Sequence, residues 1–148
     1  MESDKHKELK DRGIRYLWNK GYRIARKEFD CGYYGVYDVW GIAYHTYYTL
    51  GLEVKISRSD FHAAHKYKER RLAEQSSAFQ GLLRWGGANE SYYICPSNLI
   101  QPEETGVYGL LWWNGNRLVN KKKPKFIKIS PSCKMMQLVT LLEPKPIY

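Results

Sequence analysis

The sequence predicts an α/β fold, α+β by the order of its elements, with a central mixed sheet flanked by helices. Three observations lead there. Apolar residues recur at helical spacing near the N-terminus; aromatic and β-branched runs broken by glycine follow; then strong helix formers intervene before further strand-like runs.

The first helix is expected over residues 4 to 20. Leu9, Ile14, Leu17 and Trp18 share a face, Ser3 and Asp4 are caps, and Gly21 stands where a glycine ends a helix. From Tyr22 to Ile56 three strands are expected, with turns at Asp30-Cys31-Gly32 and Tyr44-His45-Thr46. In the third, Leu50, Leu52, Val54 and Ile56 alternate with Gly51, Glu53, Lys55 and Ser57, the period of a half-buried strand. Ser59 and Asp60 then open a second helix running toward Leu83, with a dense basic face. Gly86-Gly87 breaks the chain. Tyr92 to Cys95, stopped by Pro96, is a fourth strand, and Tyr108 to Trp113, turned by Asn114-Gly115-Asn116, a fifth. Lys121 to Lys125 is a basic loop or ragged strand, and Pro131 to Leu142 a last helix.

With 148 residues, 43% of them apolar or aromatic, the chain is expected to form one domain spanning 1–148. Its 24 Lys and Arg against 15 Asp and Glu leave a net charge of +9, suited to a polyanion, nucleic acid first and an anionic membrane surface second. No run approaches the ~20 apolar residues of a membrane span, and Met1-Glu2-Ser3-Asp4-Lys5 opens polar, so export and membrane insertion are not expected. Cys31, Cys95 and Cys133 lie far apart without a CxxC, against both a disulfide framework and a thiolate zinc site. A reduced, cytoplasmic protein is the expectation.

Between Asp30 and Glu53 the only formal charge is Asp38, in Val36-Tyr37-Asp38-Val39-Trp40. A carboxylate in so apolar a strand is partly desolvated and calls for a cation or donors beside it. Glu53 and Lys55 stand two apart on one strand and so share a face. If the second and third strands pair as a hairpin, Asp38 reaches that face, bringing two carboxylates and an ammonium together. A divalent cation relieves the repulsion of two carboxylates, and Mg²⁺ suits a site with few protein oxygens, to which the Val54 carbonyl can add one. A neighbouring lysine orients or deprotonates a water, so these are parts for hydrolysing a phosphodiester. The alternative is that Glu53 and Lys55 form the solvated face of an edge strand.

The surrounding string, Gly51-Leu52-Glu53-Val54-Lys55-Ile56-Ser57-Arg58-Ser59-Asp60-Phe61, resembles the PD-(D/E)XK nuclease superfamily, in particular its MmcB-like branch assigned to DNA repair. Glu28, a glycine-containing turn and Gly35-Val36-Tyr37-Asp38-Val39 resemble the family's Glu, turn and Asp-bearing strand. Tyr92-Tyr93-Ile94-Cys95-Pro96, Leu99-Ile100, Pro102-Glu103-Glu104 and Tyr108-Gly109-Leu110-Leu111 resemble its later strand, loop and strand. The likeness spans about residues 5–125, leaving 126–148 unassigned. It implies a restriction-endonuclease-like core and a Mg²⁺-dependent DNA endonuclease, with Mn²⁺ as substitute, acting in repair, recombination or mobile-element processing. Asp38 and Glu53 would be the metal ligands and Lys55 the catalytic lysine. Glu28 matches a further acidic position, for which Glu8 on the first helix competes. The chain departs from the family at Ala63-Ala64, where a charged residue is usual, and over Gln75 to Glu90.

The cations expected to follow a nucleic-acid backbone are Arg58, His65, Lys66, Lys68, Arg70 and Arg71, with Lys121, Lys122 and Lys123. A solvated helix face is the plainer explanation of the first group. His62 and His65 have a spacing open to metal ligation, but no cysteine or carboxylate pattern accompanies them. Ser57 and Ser59 are better explained as helix caps than as nucleophiles, and Asp60 as a cap or a partner of Lys55. Branched, single-stranded or RNA targets, pairing of two chains, and a non-cleaving binding module on a nuclease scaffold stay open.

Overall fold

The computed structural model describes residues 2–32, 34–74, 87–129 and 131–142. The expected continuation of the second helix to Leu83 lies outside them. The order is α1 (Asp4–Asn19), β1 (Ile24–Asp30), β2 (Val36–Ile42), β3 (Thr49–Val54), α2 (Arg58–Glu74), β4 (Glu90–Pro96), a 3-10 turn (Pro102–Glu104), β5 (Gly109–Trp113), β6 (Leu118–Lys122) and α3 (Pro131–Leu142).

The six strands form one open mixed sheet in chain order. β1, β2 and β3 pair antiparallel, β3, β4 and β5 pair parallel, and β6 returns antiparallel on β5. This is the expected α/β arrangement, a mixed sheet between helices.

α1 starts where the Ser3 hydroxyl accepts the His6 N–H at 3.1 Å and ends before Gly21, whose φ of +95° suits glycine. Its Leu9 and Leu17 cover one face of the sheet, over Val39, Leu52, Ile94 and Leu111. The helix comes close enough that a Cβ at Gly13 would meet the Leu52 Cδ1 at 2.9 Å. The opposite face packs Tyr37, Trp40, Tyr93 and Leu110 under Phe61 and Leu72 of α2 and Leu141 of α3. The segment beyond residue 125 therefore supplies core, through Ile127, Cys133 and Leu141.

Two expectations are corrected. β3 is not half-buried: all its residues are buried, because it lies inside the sheet with helices on both faces. Its alternation separates two covered faces rather than core from water, which also removes the solvated-edge alternative for Glu53. The edge strands are β1 and β6. Of the cap candidates Ser57, Ser59 and Asp60, it is Ser57 that caps α2, its hydroxyl accepting the Asp60 N–H at 3.2 Å. Among the described residues no helix is long and apolar enough to cross a membrane.

Candidate functional site

β2 loses its regular pairing on both sides near Asp38. The β1–β2 register runs from Ile24 opposite Ile42 to Lys27 opposite Val39 and resumes at Phe29 opposite Tyr37, skipping Glu28, which adopts φ +52°. The β2–β3 register ends at Val39 opposite Leu52. The next step would set Asp38 against Glu53; instead the Asp38 Oδ2 accepts the Val54 N–H at 2.7 Å. A backbone donor left without a ladder partner thus fixes the carboxylate that the sequence isolates.

Asp38, 24% exposed at its side chain, opens into a cleft of about 400 Å³ under the start of α1, shared with Glu2, His6, Lys10, Glu28 and Asp60. His6 Nε2 lies 3.9 Å from its Oδ1. The Lys10 ammonium bridges Glu2 Oε2 at 2.5 Å and Glu28 Oε1 at 2.8 Å. Burial works against that charge, but the bonds to Glu2 and Glu28 outweigh it and hold the Lys10 pKa above its ordinary value. Glu28 therefore stands beside Asp38, whereas Glu8 stands apart on exposed helix surface, 3.8 Å from Lys5. Of the two competing acids, Glu28 is the one in the cleft.

Glu53 alternates with Leu52 and Val54 and so faces the other way, under α2. It is 1% exposed. Its Oε2 meets the Lys68 ammonium at 2.5 Å, and its Oε1 is buried without a hydrogen-bond partner among the described residues. Burial pushes its pKa up to about 7; Lys68 opposes the shift, the Asp38 charge adds to it, and Lys55 lowers it. The Lys55 N–H continues the β3–β4 pairing by donating to the Ile94 carbonyl at 2.9 Å. Its ammonium makes no hydrogen bond or ion pair among the described residues.

The expected convergence on one face is thus corrected. Asp38, Glu53 and Lys55 gather where β3 ends, within each other's fields, yet Asp38 turns toward α1 and Glu53 toward α2. The reason is local: the Val54 N–H draws Asp38 out of the pleat while the strand alternation holds Glu53 in it. Val54 serves here through its N–H, which holds Asp38. Among the described residues no three His, Cys, Asp or Glu side chains form a metal-holding group. One or two carboxylates suffice for Mg²⁺, which keeps several waters. The Glu53 oxygen left without a partner among the described residues has the donor chemistry such an ion takes, provided Glu53 exchanges Lys68 for it; Asp38, on the other face, would have to turn to join it.

Several cations expected at a nucleic-acid backbone are committed within the protein. Lys68 holds Glu53 and donates to the Val36 carbonyl at 3.1 Å. His65 is tucked between α2 and the sheet, Nδ1 2.8 Å from the Tyr93 hydroxyl and its ring stacked on Phe61, and burial lowers its pKa. Arg58 grips Glu104 through both guanidinium nitrogens, at 3.1 and 2.6 Å, and reaches the Leu99 carbonyl. The Lys122 ammonium is bound over the 3-10 turn by the Pro102 and Gly106 carbonyls and the Thr105 hydroxyl. His62 turns to Arg58 at 3.2 Å. Lys66, Arg70, Lys121 and Lys123 are exposed; Arg71 lies over the Tyr67 ring and Lys121 over Trp112.

No family model matches the chain, and no curated protein does. A solved structure of a protein of unknown function from Silicibacter pomeroyi is similar, with a TM-score of 0.67, 20% identity and coverage of 95% of this chain and 86% of that one. The likeness shows a shared fold, the mixed sheet flanked by helices.

Proposed function

We propose that the protein is a metal-dependent nuclease hydrolysing phosphodiester bonds in DNA. The observation that carries the reading is Glu53: a carboxylate sealed in the sheet, one oxygen unpartnered, with Asp38 pinned to the next residue's N–H and an uncommitted lysine after it. An unpaired buried acceptor costs about 1–3 kcal/mol, so a partner for the second Glu53 oxygen would be favourable.

Asp38 and Glu53 would hold the ion together only with Asp38 released from the Val54 N–H and turned to the face of Glu53. When bound, a divalent cation such as Mg²⁺ or Mn²⁺ supplies positive charge for a phosphate and acidifies a water. The Val54 N–H keeps Asp38 oriented until that release, and the Lys55 ammonium, with no hydrogen bond or ion pair among the described residues, holds and orients the attacking water. Lys68 neutralises Glu53 until the ion arrives. Glu28, tied to Lys10, sets the charge of the cleft that opens beside Asp38.

The test is incubation of purified protein with linear, nicked, branched and single-stranded DNA, with and without Mn²⁺. Cleavage should require the metal and fall at least about a hundredfold in Lys55→Ala, with folding of the variant checked by its urea midpoint. Full cleavage by that variant overturns the mechanism.

A second reading draws on the Glu53–Lys68 pair itself: a scaffold whose carboxylate is permanently neutralised binds nucleic acid without cutting. Calorimetry separates the two. The nuclease takes up Mn²⁺ at a site lost in Asp38→Asn; the binding module shows no such site.

A further inference from the structure

A second concavity wraps around the C-terminal end of α1, away from Glu53. Where Lys20, Gly21 and Tyr22 lead into β1, two clefts adjoin and share Lys20 and Tyr22. One, of about 380 Å³, extends to β6 past Tyr16, Tyr92, Glu90 and Lys123. The other, of about 500 Å³, extends to the β2–β3 turn past Arg23, Tyr44, His45 and Tyr48.

The turn displays its aromatic rings on a braced mount. Tyr44 is 59% exposed and Tyr48 46%. The Ala43 N–H donates to the Tyr48 carbonyl at 2.9 Å, and the Tyr47 N–H to the Ala43 carbonyl at 3.0 Å. The Tyr48 ring stands edge-on to Phe126 at 5.0 Å, and the Lys134 ammonium caps the Tyr47 carbonyl. The turn backbone and the Tyr48 ring, held in this way, lose little freedom when something stacks on them. The larger cleft carries Lys20 and Arg23 and no carboxylate, and Lys123 closes the far end of the smaller one.

Charge alone would suit any polyanion, but two features narrow the choice. An acidic peptide or an anionic membrane leaves the tyrosine faces unused. It also sets negative groups against Glu90, whose carboxylate has no hydrogen bond or ion pair among the described residues and is partly desolvated. Nucleobases answer both, with π faces for the rings and N–H edges for the carboxylate. We propose that this cleft binds an unpaired stretch of nucleic acid, its bases stacked on Tyr44 and Tyr48 and its phosphates on Lys20, Arg23 and Lys123. The inference rests on the preceding reading only in taking nucleic acid as partner; it does not require cleavage.

Fluorescence anisotropy in EDTA tests it, using a labelled twelve-nucleotide single strand of mixed sequence, as DNA and as RNA, and the matching DNA duplex. The single strand should bind more tightly than the duplex, and the DNA and RNA arms identify the preferred sugar. Tyr44→Ala/Tyr48→Ala should weaken binding at least about tenfold, with recovery in Tyr44→Phe/Tyr48→Phe, since stacking needs only the ring. Lys20→Ala/Arg23→Ala should reduce the slope of log K against log salt by about 1.4. Equal binding of duplex and single strand, unchanged affinity in the alanine pair, or equal uptake by anionic phosphatidylserine vesicles overturns the cleft. Unchanged affinity in the alanine pair of a protein that cuts DNA removes the cleft and leaves the nuclease; a working cleft in a protein that cuts nothing does the reverse.

Discussion

Glu53 shows how a single side chain records its surroundings. Its pKa stands near 7 in the folded chain against about 4.5 when solvated, so between those values the folded state holds a proton that the unfolded state has released. Stability from this group is complete below pH 4.5 and is lost as pH rises through 7. Glu53→Gln cannot titrate, so the stability of the natural protein relative to this variant should fall by up to about 3 kcal/mol between pH 5 and 8, read from urea midpoints at each pH. An unchanged difference would mean an ordinary carboxylate. Gly51 offers a steric counterpart: a Cβ there would lie 2.3 Å from the Tyr37 ring, which is buried and stacked on Tyr34, so Gly51→Ala should destabilise by about 2 kcal/mol or more in the same assay. At this scale much was legible. Asp38 stood out as a lone charge in an apolar strand, and Glu53-x-Lys55 as neighbours on one. The turning of Asp38 out of the pleat was not, because it depends on a backbone donor freed by a break in pairing.

The helices divide what is written locally from what is not. Ser3, Ser57 and Gly21 are local signals, and α1 and α2 begin or end at them; Ser57→Ala should cost about 1 kcal/mol in thermal or urea unfolding. The charges of α2 were misleading for a physical reason. A run of Lys, Arg and His has the composition of a solvated face, and only docking on the sheet selects Lys68 for Glu53 and His65 for Tyr93. The Arg58–Glu104 pair joins α2 to the 3-10 turn on exposed surface, and its bonds hold the Glu104 pKa down to about 2; as an exposed pair it should matter little, so Arg58→Ala should leave the urea midpoint close to that of the natural protein. α3 was foreseen as a helix but not as a structural necessity. Gln137 donates to the Gly87 carbonyl and Leu141 joins the face shared with α2, so a chain ending at residue 130 should lose cooperative unfolding and bind a hydrophobic dye.

Across the whole molecule, five strands were legible, the sixth, Leu118–Lys122, was expected only as a basic loop or ragged strand over Lys121 to Lys125, and the parallel pairing was less legible still. Alternation marks a strand without naming its neighbour, and β3 meets β4 only because α2 carries the chain across one face. The net charge of +9 is likewise a global property whose use depends on placement. With Lys68, Arg58 and Lys122 engaged internally, the cations left to meet a polyanion are fewer than the sum suggests, and the salt dependence of binding should be correspondingly shallow. The cysteines, finally, turn burial into a clock. None is in a disulfide, all three thiols are sealed, and burial raises the pKa of Cys31 and Cys95, the latter to about 11. An alkylating reagent meets them only when the protein opens. Cys133 rides on α3, Cys95 in the sheet and Cys31 beside it, so the order in which they are modified times whether the last helix lifts away before the sheet comes apart.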